Sequence, residues 1–578
     1  MALRRLSNSM SIKDRVKTFI SRNKQWLLPI LFVVLTLPTV TSLFRPGTFA
    51  MHDDMQAIRV TEMVKCIKDF QIPCRWVPSM GYAYGYPQFN YYGPFSYYVM
   101  AAANLLGVGV FDSVKLGFIL SLILGNLAMF LLGNRLWGRW GGVLSALIYG
   151  YAPYRASDLY SRGAMGESWA FVFIPLVILA SYNLAKEFTL KKGALLALSF
   201  GLLILSHNIS TLIFSPALVL IFLVFLFQYN KLKVNKTTLV HIFKFGLSLI
   251  WGGLIAAFFF LPVVLEKQFA HTETMLGGYF DYRAHFVTIS QLFVSTFWGV
   301  GSSVLGPHDD LSFFFGPIII IFVLTALVVA FLKYAQKDKK ILSIVLTFFV
   351  LGLFTSFMSH EKSSFIWTIA TPLVYLQFPW RFLVLANTFF AIIAGSILVG
   401  QKTKRSLIII GTTFTFLILF NLSFFTPSKW FNITIEEKYS GITWDKQMTT
   451  SIYDYLPIFA SHPPTSPAPN LPVVSNGFAD FLYFTKGTNW QRFTLQNSED
   501  TTVTLSLFDF PGWVVKVDGK KVAIDHNNEL GLITFKVPKG EHEIFARLTN
   551  SPVRFIGNTL TIIFLPLCLY VIFKRKHE

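Results

Sequence analysis

The sequence predicts an all-α, multi-pass membrane protein of about twelve transmembrane helices, with a small extracytoplasmic β-sandwich domain before the last helix. Three observations carry this expectation. Of the 578 residues, 53% are hydrophobic and only 14% are charged, with 60 phenylalanines; soluble domains are roughly 45–50% apolar and about 25% charged. The apolar residues come in blocks near the length of about 20 residues that crosses a bilayer. The 50 basic and 30 acidic residues give a net charge of +20, which on its own would suit nucleic acid. The basic residues cluster at alternate ends of the apolar blocks, however, so the excess reads as a membrane-orientation signal and no nucleic-acid partner is expected.

The blocks fall at 26–43, 115–133, 140–153, 168–185, 193–206, 208–228, 245–264, 313–332, 341–357, 382–400, 406–425 and 555–573. Residues 1–25 carry Arg4, Arg5, Lys13, Arg15, Lys17, Arg22 and Lys24, so they are expected in the cytosol. The first block then serves as an anchor; it lacks the small-residue site of a cleaved signal peptide. Arg135 and Arg139 should also be cytosolic, which leaves the apolar stretch 94–110 as a helix in or on the outer leaflet. Every later basic cluster (Lys186/Lys191/Lys192, Lys231/Lys233/Lys236/Lys244, Lys333/Lys337/Lys339/Lys340, Lys402/Lys404/Arg405, Lys574/Arg575/Lys576) then lies inside. Both termini are expected in the cytosol, in a plasma membrane. The chain divides into a transmembrane module over 26–425, a β-rich outer domain over 426–554, and a last span with its tail over 555–578.

The outer loops are expected at 44–113, 154–167, 265–312 and 358–381. In the first, Val60, Met63, Val64, Ile67 and Phe70 recur at helical spacing, with Arg59, Glu62, Lys65 and Asp69 on the other face. This predicts an amphipathic helix along the membrane surface. In the outer domain, the Pro-rich stretch Pro457 to Pro472 should be irregular. Val503, Leu505 and Leu507 alternate with Thr502, Thr504 and Ser506 as in a strand. Asp518-Gly519 between Val514–Val517 and Lys521–Ile524 signals a hairpin, and strands are expected near Ile533–Val537 and Glu543–Leu548. Three cysteines exclude a disulfide framework or a four-cysteine zinc site; Cys66 and Cys74 are close enough to bridge in an oxidising compartment.

His52-Asp53-Asp54 opens the surface helix. Asp53 with Gln56 fits a capping box, but two acids and a histidine exceed what one cap needs. A carboxylate there can accept a proton or hold a divalent metal such as Mg or Mn, with His52 as a further ligand. No other cofactor is indicated. His308-Asp309-Asp310 repeats the triplet in a later loop. Arg162 and Glu167 bracket Gly163 to Gly166, His207 sits at an outer turn, and Arg381 follows Gln377-Phe378-Pro379-Trp380. Convergence of such cations would suit a lipid-linked phosphate, although a single interfacial arginine also snorkels. Trp76, Tyr82, Tyr84, Tyr86, Tyr91 and Tyr92 could stack on sugars or form an interfacial aromatic belt. There is no P-loop, dinucleotide fingerprint or HExxH helix, so outer-face chemistry points to a lipid-carried activated substrate.

An outward acidic pair opening a surface helix, a second Pro-led helix and then a span resemble the GT-C superfamily of membrane glycosyltransferases. Further stretches are similar to bacterial membrane proteins called 6-pyruvoyl-tetrahydropterin synthase-related and their YfhO-like relatives. These are His52-Asp53-Asp54, Gly85 to Pro94, Ser161 to Glu167, Gln377 to Arg381, Tyr453-Asp454-Tyr455-Leu456-Pro457 and Pro511-Gly512-Trp513. The resemblance implies a GT-C-like fold and transfer of a sugar from a polyprenyl-phosphate donor to a glycan, lipid or protein acceptor. It makes Asp53 the first choice and Asp54 the second for the base or metal ligand. His52, Arg59, Trp76, Tyr86, Arg162, Glu167, His207, Asp309, Asp310 and Arg381 would line the substrate site. A transporter or flippase of lipid-linked glycans, or a non-catalytic scaffold for envelope assembly, are the alternatives. Transport calls for ionisable groups at mid-span, which these blocks nearly lack.

Overall fold

The computed structural model describes residues 24–229, 235–304, 308, 310–336, 338–442, 444 and 454–574. Most of the basic N-terminal segment, the Arg575/Lys576 tail, Asp309 and Tyr453 lie outside the described residues.

Each of the twelve apolar blocks holds a helix, but the helices are not alike. Among the described residues, eight are long and apolar enough to cross a membrane, from Val110–Trp137 to Pro552–Phe573. Two apolar helices are shorter, Ile30–Phe44 and Pro317–Lys333, while Arg139–Gly150 and Leu190–Ser206 have 12 and 17 residues. The expected count of twelve full spans is therefore larger than the eight that meet the length. The stretch 94–110 forms an 11-residue helix, Phe95–Leu105. At 1.5 Å per residue that is about 17 Å, half of what a span needs.

Burial varies around the bundle as lipid contact requires. In Pro379–Leu398, 94% of the apolar window is buried, against 22% in Thr403–Phe424 and 17% in Pro552–Phe573. The last two present Ile408, Leu419, Phe420, Ile562 and Phe573 outward, an apolar exposure that water would not tolerate. Inside the bundle, polar side chains tie helices together through backbone carbonyls, because no water is there to satisfy them. Tyr149 donates to Phe171 O, Tyr151 to Leu35 O and Tyr160 to Thr39 O, each at 2.7 Å, and Trp137 Nε1 donates to Ile392 O at 2.7 Å.

The helix Gln56–Lys68 departs from expectation. It is not an amphipathic surface helix: Ile58, Val60, Met63 and Val64 are buried, and so are Arg59 and Glu62 from its polar face. The rest of the chain wraps both sides. Strand β1 (Thr48–Phe49) pairs with β2 (Trp430–Phe431), Thr61 hydrogen-bonds the Tyr439 hydroxyl at 3.0 Å, and Asp69 accepts from Thr488 and Trp490. Cys66 and Cys74 form a disulfide that closes the helix onto the following loop.

Residues 473–548 form two antiparallel sheets. Strands β3 (Val473–Asn476), β6 (Thr501–Phe508) and β9 (Leu532–Val537) make one, in the order β3-β6-β9. The other has the order β4-β5-β10-β7-β8, from Ala479–Lys486, Trp490–Asn497, Gly540–Leu548, Trp513–Val517 and Lys520–Val522. Val503, Leu505 and Leu507 point inward as the alternation predicts, joining Phe493, Val515, Ile533 and Ile544 in one apolar cluster. Asp518 and Gly519 take φ of 48° and 78°, the pair of left-handed residues that a tight hairpin between β7 and β8 demands. Residues 457–472 contain no regular element.

This cluster does not stop at the sheets. Trp76 inserts between Phe510 and Trp513, with ring centroids 5.9 and 5.6 Å away. A buried charge cluster fixes the same junction to the last helix. Arg554 Nε pairs with Glu266 Oε2 at 2.8 Å, and Arg75 Nη2 donates to Asn558 Oδ1 at 2.8 Å. The first loop, the sheets and the start of the last helix thus share one core.

Candidate functional site

A cavity of about 740 Å³ opens where the first loop, the ends of several spans and the segment at 454–455 meet. His52, Asp53, Asp54, Arg59, Arg162, Glu167, His207 and Arg381 all line it. Eight of the twelve residues expected at the site are therefore brought together. Three of the helices that deliver residues here have a basic cluster at the other end. Met165–Lys186 starts beside Glu167 and ends at Lys186, Leu190–Ser206 starts at Lys191 and ends before His207, and Arg381 opens the span that Lys402 follows.

The acidic turn is positioned by its backbone. His52 N–H donates to Ser161 O and Asp53 N–H to Arg162 O, both at 2.9 Å, so the two loops are joined like short strands. Asp53 is not a cap: the helix begins at Gln56 with no side-chain cap. Its carboxylate instead accepts from Arg59 Nη1 at 2.7 and 2.9 Å, Gln56 Nε2 at 2.9 Å and the Tyr92 hydroxyl at 3.2 Å. Burial alone would disfavour the Arg59 charge, but the Asp53 carboxylate outweighs it and holds Arg59 protonated. The Arg59 guanidinium lies 4.3 Å over the Tyr92 ring. Asp54 pairs with Lys438.

Arg162 has two acids to itself. Nη1 lies 2.8 Å from Asp158 Oδ1 and Nη2 lies 2.9 Å from Glu167 Oε2, with all three side chains buried. Its guanidinium also lies 4.2 Å over the Trp380 ring. An arginine so neutralised is a poor docking point for a phosphate. Arg381 differs. Nη1 donates to Leu376 O at 2.6 Å and Gln377 Oε1 at 3.3 Å, Nε is buried with no hydrogen-bond partner, and it makes no ion pair among the described residues. Gln377 reaches this arrangement through a left-handed φ of 61°, a conformation that costs a non-glycine residue about 1 kcal/mol.

His207 accepts the Ser210 N–H on Nδ1 at 3.3 Å, so in the neutral ring the proton sits on Nε2. Gly166 lets this turn approach: a Cβ there would lie 2.7 Å from Ser206 O. Residues that sequence reasoning passed over complete the lining, above all Asp454 and Tyr455. The Tyr455 N–H donates to the Tyr86 hydroxyl at 2.8 Å, and its ring stacks on Tyr91 at 5.3 Å. Burial and the Asp53 charge push the Asp454 carboxyl up to about 7, against the pull of Arg59. Asp454 lay within the quoted motif Tyr453 to Pro457, but no spacing to another acid marked it.

Three groups of residues lie elsewhere than expected. Trp76 and Tyr86 do not line the cavity; they are 0% and 1% exposed, Trp76 packed in the β-region cluster and Tyr86 in the main core against Tyr455, because an aromatic string without periodicity does not tell which ring turns inward. Asp310 is exposed beside Gly301 and does not line the cavity; its partner Asp309 lies outside the described residues. Tyr82 and Tyr84 likewise pack toward the β-region, whereas Tyr91 and Tyr92 line the cavity. A divalent metal does not fit His52, Asp53 and Asp54 as they stand: Arg59 and Lys438 already occupy the carboxylates. No group of three ligating side chains is placed for a metal among the described residues.

Several known proteins are similar to this chain. An uncharacterized protein of Lactococcus lactis subsp. cremoris is 24% identical over 261 residues, 43% of this chain and 41% of its own length. Among solved structures, the mycobacterial arabinofuranosyltransferase AftD aligns over 75% of this chain and 29% of its own, with 12% identity and a TM-score of 0.46. The Archaeoglobus fulgidus oligosaccharyltransferase covers 78% and 60% at 13% identity and a TM-score of 0.42. ArnT from Cupriavidus metallidurans, solved with undecaprenyl phosphate, covers 68% and 62% at 15% identity and 0.35. The chain spans less than half the length of the Lactococcus relative and of AftD. A family model matches residues 89–427, more than half of the sequence, and the chain belongs to that family, the membrane proteins with a 6-pyruvoyl-tetrahydropterin synthase related domain.

Proposed function

We propose that the protein is a membrane glycosyltransferase. It moves a sugar from a polyprenyl-phosphate donor to the hydroxyl of an extracytoplasmic envelope acceptor. The observation that carries this reading is a single cavity holding an arginine with uncommitted donors together with a cluster of aspartates. At about 740 Å³ it is large enough for a sugar phosphate and part of an acceptor. It is bordered by the ends of spans, where a lipid-borne phosphate travels. Because the basic clusters sit at the far ends of those spans, the positive-inside rule assigns the cavity and the β-region to the outer face.

In this mechanism the phosphate seats on Arg381, with the His207 Nε2–H as a second donor. Charge that develops on the leaving phosphate oxygen is met by groups already in place. The acceptor hydroxyl approaches the aspartates, which remove its proton as the new bond forms, with inversion at the sugar. Asp53, fixed by Arg59, Gln56 and Tyr92, is a rigid acceptor for a substrate hydroxyl. Purified protein incubated with labelled polyprenyl-phosphate sugars and envelope acceptors should transfer label, and Asp53→Asn should reduce transfer at least ~100-fold at unchanged membrane levels. Undiminished transfer by that variant would remove Asp53 from the mechanism. A flippase would move the lipid-linked sugar across vesicles without cleaving it.

A further inference from the structure

The three aspartates of the cavity are unequal. Asp53 accepts hydrogen bonds from three side chains and pairs with Arg59, and Asp54 pairs with Lys438. A carboxylate so engaged has its oxygens already occupied by donors within the protein. Asp454 also lines the cavity, yet no described residue hydrogen-bonds or ion-pairs with its carboxylate. The chain that follows it is nonetheless held in place. Beside it, Tyr455 is held by the Tyr86 hydroxyl and stacked on Tyr91. Next, Leu456 O accepts from His271 N–H at 2.9 Å and Ile458 N–H donates to Phe269 O at 3.0 Å.

We propose that Asp454 is the catalytic residue that takes the proton of the acceptor hydroxyl, with Asp53 as the anchor that orients that acceptor. This rests on the glycosyl-transfer reading above. The acceptor O–H bond breaks and its proton goes to an Asp454 oxygen, while the acceptor oxygen bonds to the anomeric carbon. The bond from that carbon to the phosphate oxygen breaks, and its electron pair leaves with the phosphate toward Arg381. No co-reactant is needed.

The surroundings suit the task. Asp53 and Arg59 are the charged groups that act on Asp454, the first raising its carboxyl and the second lowering it. Tyr86 and Tyr455 also face it, and burial keeps both hydroxyls protonated. On the segment packed against residues 455–458, Glu266 is taken by Arg554 and His271 by Glu273, while Lys267 lies beside Tyr375. With its carboxyl near 7, Asp454 is basic enough to accept a proton and still mostly ionised slightly above neutrality, the balance a general base needs.

Two measurements on the full-length protein in lipid nanodiscs test this. The first labels carboxyls with a water-soluble carbodiimide and an amine from pH 4 to 9, read by mass spectrometry of the peptide carrying Asp454. Labelling with a midpoint near 7 is expected, and in Asp53→Asn the midpoint should fall because a neighbouring negative charge is gone. A midpoint below 5 overturns the proposal whatever the substrate. The second follows sugar transfer from labelled undecaprenyl-phosphate sugars to an envelope glycolipid fraction. Wild type should lose kcat below pH 7; Asp454→Asn should fall 10²–10⁴-fold with donor KM within about twofold, and its residual rate should lack the acid limb. Asp454→Glu should regain part of the rate and keep a limb, which a purely structural role would not restore. If Asp454→Asn keeps the wild-type rate and limb, Asp454 is not the base, though the transfer reading survives. If wild type transfers nothing while Asp454 titrates near 7, the transfer reading itself fails and takes the proposal with it.

Discussion

Replacing Arg381 offers the sharpest test of where a donor phosphate binds. Nη1 is spent on Leu376 O and Gln377 Oε1, so the donors left for a ligand are Nε and Nη2, the edge that grips a phosphate with two parallel hydrogen bonds. Each charge-assisted bond is worth about 1.5–3 kcal/mol. Arg381→Gln should therefore weaken phosphate binding by about 3–6 kcal/mol, a factor of roughly 10²–10⁴ at about 1.4 kcal/mol per decade. Arg381→Lys keeps the charge but loses the planar fork, and about tenfold weakening is expected from one lost bond. Losing the donor to Leu376 O costs about 1.5–3 kcal/mol of stability, so binding is compared per folded protein. The assay is equilibrium binding of radiolabelled undecaprenyl phosphate to protein in nanodiscs, with undecaprenol, which lacks the phosphate, as control. Arg381→Gln binding within twofold of wild type would refute the assignment. So would an equal loss for undecaprenol, since the lost contact would then be with the chain.

Arg162 should behave in the opposite way. Arg162→Gln strands Asp158 and Glu167, both buried, and a buried charge left without its partner costs about 3–5 kcal/mol; a drop in thermal stability of the solubilised protein should dominate, and unchanged melting would contradict this. Asp454 should show a stability signature of its own. Its folded carboxyl is raised from 3.8 to about 7, so the stability it contributes is complete below pH 3.8 and is lost as pH rises through 7. Asn mimics the neutral form, so Asp454→Asn should melt above wild type at pH 8, with the difference gone at pH 4. At 1.36 kcal/mol per unit the shift corresponds to about 4 kcal/mol as an upper bound, and partial exposure to the cavity cuts this to about 2 kcal/mol.

Much of this was legible because membranes simplify sequence. The blocks that became Met165–Lys186 or Asn208–Tyr229 needed only length and composition, and the basic clusters told which ends share a face. That is how Glu167, His207 and Arg381, far apart in the chain, were gathered in advance. The hairpin at Asp518-Gly519 was equally plain, since two left-handed residues leave few other choices. The partners of each charge were not. The helix Gln56–Lys68 reads as amphipathic because its polar positions fall on one face, but Lys438 and Tyr439, nearly 400 residues on, cover the first loop. Trp76 and Tyr86 looked like ligand-stacking aromatics because composition does not distinguish a ring facing a sugar from one facing Trp513. Asp454 followed a stretch with no periodicity, and only the folded chain sets it beside Asp53 and Arg59.

Charge pairing separates what builds this cavity from what can react in it. Asp53 with Arg59, Asp54 with Lys438, and Glu167 with Arg162 are paired within the protein itself. They tie the loops around the cavity together, while the Asp53 and Asp54 carboxylates stay partly open to it. Arg381 and Asp454 are in none of these pairs. They come from two different segments, the turn that opens the Pro379–Leu398 span and the stretch that precedes the β-region. A reaction that expels a phosphate and releases a proton needs one free cation and one free carboxylate, close enough to serve the same substrate but not each other. Arg381 and Asp454 both line the cavity, and among the described residues they make no ion pair with each other, as the proposed transfer requires.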